Sequence, residues 1–380
     1  MGDTKITWAE KVWNPVTGCT KVSEGCRNCY AERMSKRLAG RAGYPEDGFK
    51  VTLHPDKLDE PLRWKKPSRI FVCSMGDLFH EDVPDEFIDK VFAVISLCHE
   101  HTFLVLTKRP ERMKRYWTGP FKGDGVLARI ADEAIAIHEQ TGKLPSFDFW
   151  YIAPLGPNGE YGERWFCKAI DGLPNVILGV SVEDQLTADE RIPLLLQTPA
   201  AKRFVSYEPA LGPVNFRRLI MSPPAPAECI CGHGHGYTRC PNYGGVAETC
   251  HKCECKDFKR RDGQGIHWVI MGGESGPGAR PMHPDWPRSV RDQCKAAGVP
   301  FFLKQIGEWE PDGEVPFKEP KEAGRVIPMY IAWSSAGPRE RGKLASYHIY
   351  DKDGQGIRFK RVGKKAAGCL LDGKEHKERP

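Results

Sequence analysis

Three cysteines stand close together near the start of the chain, Cys19, Cys26 and Cys29, in a C-x6-C-x2-C spacing. Thiolates ligate both iron–sulfur clusters and zinc. Three on one loop can hold three corners of a cubane cluster and leave its fourth iron open to a ligand from outside the protein. A structural zinc wants a fourth protein ligand, and the nearest further Cys or His is His54. Zinc with a distant fourth ligand, and plain structural thiols, remain as alternatives. A helix is expected at Ala31–Ala39, directly after the loop, and a helix N-terminus favours thiolates and anionic clusters.

A second group comprises Cys229, Cys231, Cys240, Cys250, Cys253 and Cys255, with His233, His235 and His251 among them. Paired knuckles roughly 20 residues apart are a zinc pattern. One zinc, two zincs or an auxiliary iron–sulfur cluster would fit, and Cys231, Cys240, Cys250 and Cys253 form one four-cysteine choice. Lys252, Lys256, Lys259, Arg260 and Arg261 make the segment either a nucleic-acid-contacting knuckle or a staple with a solvated basic face. With 14 cysteines and no apolar leader at Met1–Lys5, metal ligation is expected rather than a disulfide framework. Cys73, Cys98, Cys167, Cys294 and Cys369 are scattered and read mostly as buried free thiols.

Such groups need a scaffold. Short apolar runs read as buried strands: Ile70–Cys73, Phe103–Leu106, Val176–Val180, Arg203–Ser206, Trp268–Met271 and Phe301–Leu303, with another near Thr7–Val12. Their continuity predicts parallel strands covered on both faces. Helical periodicity lies between several of them, at Asp85–His99, at Thr187–Leu195 (Thr187 as N-cap, Pro193 limiting it) and at Asp285–Ala297 before Gly298. Repeated βα units predict an α/β fold, a partial or complete parallel (βα) barrel. Each run from residue 70 onward is followed by polar or charged residues: Asp77, then Lys108 and Arg109, Ser181 and Glu183, Glu208, Glu274, and Lys304. Active sites of such folds sit at the carboxyl ends of the strands, so a polar pocket is expected there.

The expected organisation is a barrel core at residues 1–222 and 263–310, with the cysteine loop at 18–30. A Cys/His-rich zinc-binding-like insertion occupies 223–262, and a polar, basic extension 311–380. Residues 119–162 form an interruption with a helix-like centre at Val126–Gln140 and little core signal. At 380 residues and 40% hydrophobic content, the chain can bury a sizeable core, and no run is long and apolar enough to span a membrane. A cytoplasmic location is the expectation, the bacterial host cytoplasm if the protein is phage-encoded. The net charge of +6 permits a polyanionic partner without requiring one.

A three-cysteine loop after the first strand of a parallel α/β barrel resembles the radical S-adenosylmethionine (SAM) superfamily. That superfamily's usual spacing is C-x3-C-x2-C with an aromatic before the third cysteine. Here the first gap is six, Asn28 precedes Cys29 and Tyr30 follows it. The segments 13–19, 26–32, 106–110, 179–183, 206–209, 272–276 and 370–373 are similar to a family of phage and prophage proteins of radical-SAM-like character. The resemblance implies a [4Fe–4S] cluster on Cys19, Cys26 and Cys29, with SAM chelated at the open iron. Reductive cleavage would then give a 5′-deoxyadenosyl radical. It further implies that Asp77, Lys108, Arg109, Ser181 and Glu183 bind the cofactor while Glu208, Glu274 and Lys304 face the substrate. An electron donor such as flavodoxin or ferredoxin would be needed.

The expected function is therefore a radical SAM enzyme, of isomerase or lyase type. Its expected substrate is a nucleobase, nucleoside or nucleic acid (DNA or RNA), with phage-type base modification as one instance. The alternative is a non-catalytic iron–sulfur and zinc protein that binds nucleic acid. An acidic pocket repels phosphates and favours the enzyme. A metallohydrolase ranks last, because His80, His99, His101 and His283 form no ligand pattern.

Overall fold

Seven apolar segments form one parallel sheet in a computed structural model of the chain. The structure describes residues 4, 6–41, 44–46, 48–119, 125–143, 150–154, 163–167, 172–216, 265–316, 346–350 and 355–380. The strands are β1 Lys11–Trp13, β2 Arg69–Val72, β3 Thr102–Thr107, β4 Val176–Val182, β5 Lys202–Tyr207, β6 Trp268–Gly272 and β7 Phe301–Gln305. They lie side by side in chain order and every neighbouring pair is parallel. Parallel neighbours need crossovers, and for the described connections, those of all neighbours but β5 and β6, helices supply them. These are α1 Tyr30–Leu38, α2 Asp85–Leu97, α3 Pro110–Thr118, α4 Gly125–Thr141, α5 Gln185–Gln197 and α6 Asp285–Ala297. The sheet curls into a half-barrel whose first and last strands are not paired with each other.

Alternation along the strands separates two cores. Ile70, Val72, Phe103, Val105, Leu178, Val180, Val205, Val269, Met271, Phe301 and Leu303 pack outward with the helices. The residues between them, Phe71, Leu104, Ile177, Phe204, Trp268, Ile270 and Phe302, form a separate cluster with Trp8 and Ala9 on the concave face. Successive strand residues point to opposite faces, so a continuous apolar run serves both. Each buried large side chain contributes about 1.5–3 kcal/mol, enough for the aromatic plug to fill the lower concave face.

The chain's end closes the open edge. Lys377 lies antiparallel to Phe302 on β7, with Leu303 N donating to His376 O at 2.8 Å and Glu378 N to Phe301 O at 3.2 Å. Arg379 Nη2 then donates to Thr7 O at 3.0 Å, ahead of β1. The 311–380 region also contributes to a three-stranded antiparallel sheet, in which Gln355–Arg361 lies between Trp309–Pro316 and Ser346–Tyr350.

Three local expectations need correction. Asp184, not Thr187, caps α5: its carboxylate accepts from Thr187 N, and Thr187 Oγ1 bonds back to the cap, a capping box. Pro193 lies inside α5, which runs on to Gln197. Helix α4 does carry core signal, burying Val126, Ile130, Ala131 and Ala134. No described helix is long and apolar enough to cross a membrane.

Candidate active site at the mouth of the half-barrel

The concave face changes character from one end to the other. Its lower half is the aromatic plug. Toward the carboxyl ends, the inward positions become Ser181 on β4 and Glu183 just past it, Ser206 on β5 and Glu208 just past it, Gly272 closing β6 and Glu274 beyond it, and Lys304 on β7. Of these, Ser181, Glu183, Ser206 and Glu274 are buried. Burying ionised groups is costly unless each finds a partner.

The cysteine loop lies over this polar end. Gly18 has φ of +85°, and a Cβ there would stand 2.0 Å from Lys50 O, so only glycine fits. Gly18 N donates to Met75 O at 2.9 Å and Cys19 N to Phe49 O at 3.1 Å. Cys26 ends a short 3-10 turn, Glu24–Cys26, and Cys29 caps α1. The loop is tied to three strand ends. Arg109 Nη1 donates to Cys19 Sγ at 3.3 Å. Ser23 Oγ donates to Glu183 Oε1 at 3.0 Å. Arg280 Nη2 donates to Glu24 O at 3.0 Å, and Asn28 Nδ2 to Gly278 O at 2.8 Å.

All three thiols are free and partly buried. Burial, with the nearby Asp77 carboxylate, pushes the Cys19 thiol up to about 11, against the pull of Arg109. Among the described residues no three His, Cys, Asp or Glu side chains converge on one point as ligands of a single ion. A cubane takes each thiolate on a different iron, so its thiolates surround a cluster rather than meet at one ion. Three free thiols on one anchored loop are the type and number of donors it takes from a protein.

Each sequence-identified carboxylate has a cationic partner. Asp77 is saturated: it accepts from Phe79 N at 3.0 Å, Thr107 Oγ1 at 2.8 Å, Lys108 N at 3.1 Å and Arg109 Nη1 at 3.2 Å. Its carboxylate orients Arg109, which also reaches Thr20 O at 3.1 Å and Thr20 Oγ1 at 2.7 Å. Glu183 closely pairs with Lys108 and meets Arg191 Nη1 at 3.2 Å. Lys108 Nζ also donates to Ser181 Oγ at 2.8 Å, joining three of the expected cofactor-binding residues in one network. Lys304 Nζ lies 2.7 Å from Glu208 Oε1, so two of the expected substrate-facing residues pair with each other. Glu274 is held by Arg280, with Arg280 Nε 2.8 Å from its Oε2.

Several site residues escaped the sequence reading. Arg191 stands two turns into α5 from Glu183, a helical spacing that offered a signal. Arg280 lies six residues beyond Glu274 in a glycine-rich loop and offered none. Asn14 accepts from Met75 N at 3.0 Å and Ser74 Oγ at 3.2 Å, pinning β1 to the turn after β2. Cys229, Cys231, Cys240, Cys250, Cys253 and Cys255 lie outside the described residues.

No curated protein and no solved structure matches the chain. A family profile does match, from residue 3 to residue 380, and the chain belongs to that family, described as "Protein of unknown function (DUF5131)".

Proposed function

We propose that the chain is a radical-SAM-type enzyme, with Cys19, Cys26 and Cys29 holding a [4Fe–4S] cluster and a nucleobase, nucleoside or nucleic acid as substrate. The observation that carries this reading is the placement of three free thiols, on one loop, over the charged carboxyl end of a parallel half-barrel. Bound there with SAM, the cluster would supply one-electron cleavage of the sulfonium to a carbon radical able to take a hydrogen atom from the substrate.

The chain's own residues have distinct tasks in this reading. Asp77 locks Arg109, and Arg109 steadies the loop through Cys19 and Thr20. Lys108, Ser181 and Glu183 present one cation, one hydroxyl and one carboxylate to a zwitterionic amino acid and its ribose. Glu208 and Lys304 stand at the substrate side, where a ligand that parts them gains one acid and one base. Glu274, fixed by Arg280, holds the glycine-rich loop against the cysteine loop. The aromatic plug closes the lower end of the concave face, which keeps a reactive intermediate from solvent on that side. An electron donor such as flavodoxin or ferredoxin is required, and zinc is proposed for the 223–262 insertion.

The test is low-temperature EPR of anaerobically reconstituted, dithionite-reduced protein with and without SAM. A reduced cubane signal that changes on adding SAM is expected. Absence of a cluster signal, with zinc alone in the sample, rejects the enzyme and leaves a metal-stapled nucleic-acid-binding protein.

A further inference from the structure

The outer rim of the mouth carries a face that the cofactor reading does not use. Of the large hydrophobic side chains exposed among the described residues, Val22, Tyr30 and Met34 gather on the cysteine loop and α1, against only Leu186 and Leu370 elsewhere. Ala31 and Ser35 bury the other side of the helix. At about 100° per residue, Arg33, Arg37, Tyr30 and Met34 fall within about 100° of one another on the outward side. Tyr30 is 50% exposed, and its hydroxyl is tied closely to Ser74 O just past β2, so the ring stands at the lip of the mouth.

The same face holds positive charge with no carboxylate to meet it. Arg27 and Arg37 are exposed, and among the described residues neither side chain has a hydrogen-bond or ion-pair partner. Arg33 donates only to carbonyls, Ser275 O and Pro277 O, each at 3.3 Å. Asn28 Nδ2 reaches Gly278 O at 2.8 Å, so Arg27 and Arg33 border the same loop. Both carboxylates between Cys19 and Arg41 are taken, Glu32 by Lys21 and Lys36 and Glu24 by Arg280. Glu46, which has no partner among the described residues, stands past the end of α1 beside Gly40. Inside the mouth the position is reversed, since Lys108, Arg109, Arg191, Arg280 and Lys304 each have a carboxylate. A polyanion therefore gains more on the rim than in the mouth.

We infer that the outward face of α1, with Tyr30, Met34, Arg27, Arg33 and Arg37, is a track for a single strand of DNA or RNA, its phosphates on the arginines and one unpaired base on the Tyr30 ring at the lip. This deepens the proposed function by choosing the polymer over the free nucleoside, and it rests on the mouth being a nucleotide site. An aromatic ring beside a run of cations holds single strands without reading sequence, because every base has a π-face. Tyr30 to Arg37 spans about 10 Å along the helix axis, about three steps of a strand. A duplex keeps its bases stacked and paired and offers the ring nothing to lie on. An acidic protein would also satisfy the charge, but a stable protein interface takes about 800 Å² a side, and only Tyr30 and Met34 supply apolar surface in this file.

The experiment is fluorescence anisotropy of the full-length chain with a labelled, mixed-sequence strand of about 16 nucleotides, competed by the duplex it forms with its complement. Three phosphate contacts predict that log affinity falls with log salt at a slope of about 2 or more, roughly twentyfold between about 50 and 200 mM. Arg27→Ala/Arg37→Ala should lower that slope by about 1.4 and weaken binding at least tenfold at the lower salt. Arg33 is left in place because it holds the 275–278 loop. Tyr30→Ala should weaken binding about tenfold with the slope unchanged, and Tyr30→Phe, which keeps the ring, should retain it. A duplex that competes as well as the strand overturns the inference. A wild-type slope and affinity in the double variant does so too, by placing the strand elsewhere. Absence of strand binding also overturns it and leaves the face to a protein partner. EPR on the same preparations separates the two readings: strand binding with these variant effects but no cubane signal rejects the cluster and keeps the track. A SAM-responsive cubane with no strand binding does the reverse.

Discussion

Removing the Arg109 guanidinium, as in Arg109→Met, tests whether the Asp77–Arg109 pair anchors the cysteine loop. Both side chains are 7% exposed, so the pair is scarcely screened by water. The substitution deletes contacts to Asp77, Cys19, Thr20 O and Thr20 Oγ1. Breaking a buried pair from one side costs about 3–5 kcal/mol because a charge is left uncompensated. Asp77 keeps Thr107 Oγ1 and the Phe79 and Lys108 amides, all aimed at it, which places the expected cost near the bottom of that range, at about 3 kcal/mol. Arg109→Met/Asp77→Asn removes the orphaned charge as well and should recover about 1–2 kcal/mol, the coupling of groups in contact. Guanidinium unfolding of metal-free protein at pH 7 measures Arg109→Met, Asp77→Asn and the double variant, with iron uptake followed in parallel. Iron retention should fall in both variants that lack Arg109, since each frees the loop at Cys19. A single-variant loss below about 0.5 kcal/mol, typical of surface changes, would refute the anchoring argument. So would strict additivity in the double variant.

Cys26→Ala should abolish iron loading on Cys19, Cys26 and Cys29, and full iron content by colorimetric assay would place the cluster elsewhere. Gly179→Ala puts a Cβ 2.3 Å from the ring of fully buried Phe204, itself packed against Trp8 and Trp268, so overpacking of about 1–3 kcal/mol is expected; an unchanged thermal midpoint would contradict that packing. Burial holds the His54, His101 and His267 imidazoles below their ordinary 6.5, with nearby Lys57 adding at His54 and Arg203 and Lys202 at His267. The unfolded chain therefore takes up protons first as pH falls. The stability these groups give is complete above pH 6.5 and is lost below it, at up to about 1.4 kcal/mol per pH unit for each ring still neutral. Denaturation midpoints at pH 7.5, 6.5 and 5.5 check this, and a midpoint that holds or rises on acidification contradicts it.

The seven strands and their parallel α/β arrangement, as a partial or complete barrel, were legible in the chain, because buried parallel strands must be apolar on both faces and their ends must be polar to turn. The grouping of Cys19, Cys26 and Cys29 on one loop was equally legible, since neighbours on a short loop are set by local spacing. Other features depended on through-space pairing. Asp77 read as a ligand-binding carboxylate, yet its lone pairs are taken by Thr107, Arg109 and two backbone amides, which makes it a support for Arg109. Glu208 and Lys304, 96 positions apart, neutralise each other only because β5 and β7 flank β6. Arg280 offered no pattern and gains meaning from the Glu274 carboxylate it holds. Periodicity records which face of a strand or helix is buried, and it was enough to give the scaffold. Which cation meets which carboxylate across the mouth is decided by the curl of the sheet and by the tail that spans its open edge, neither of which leaves a local signature.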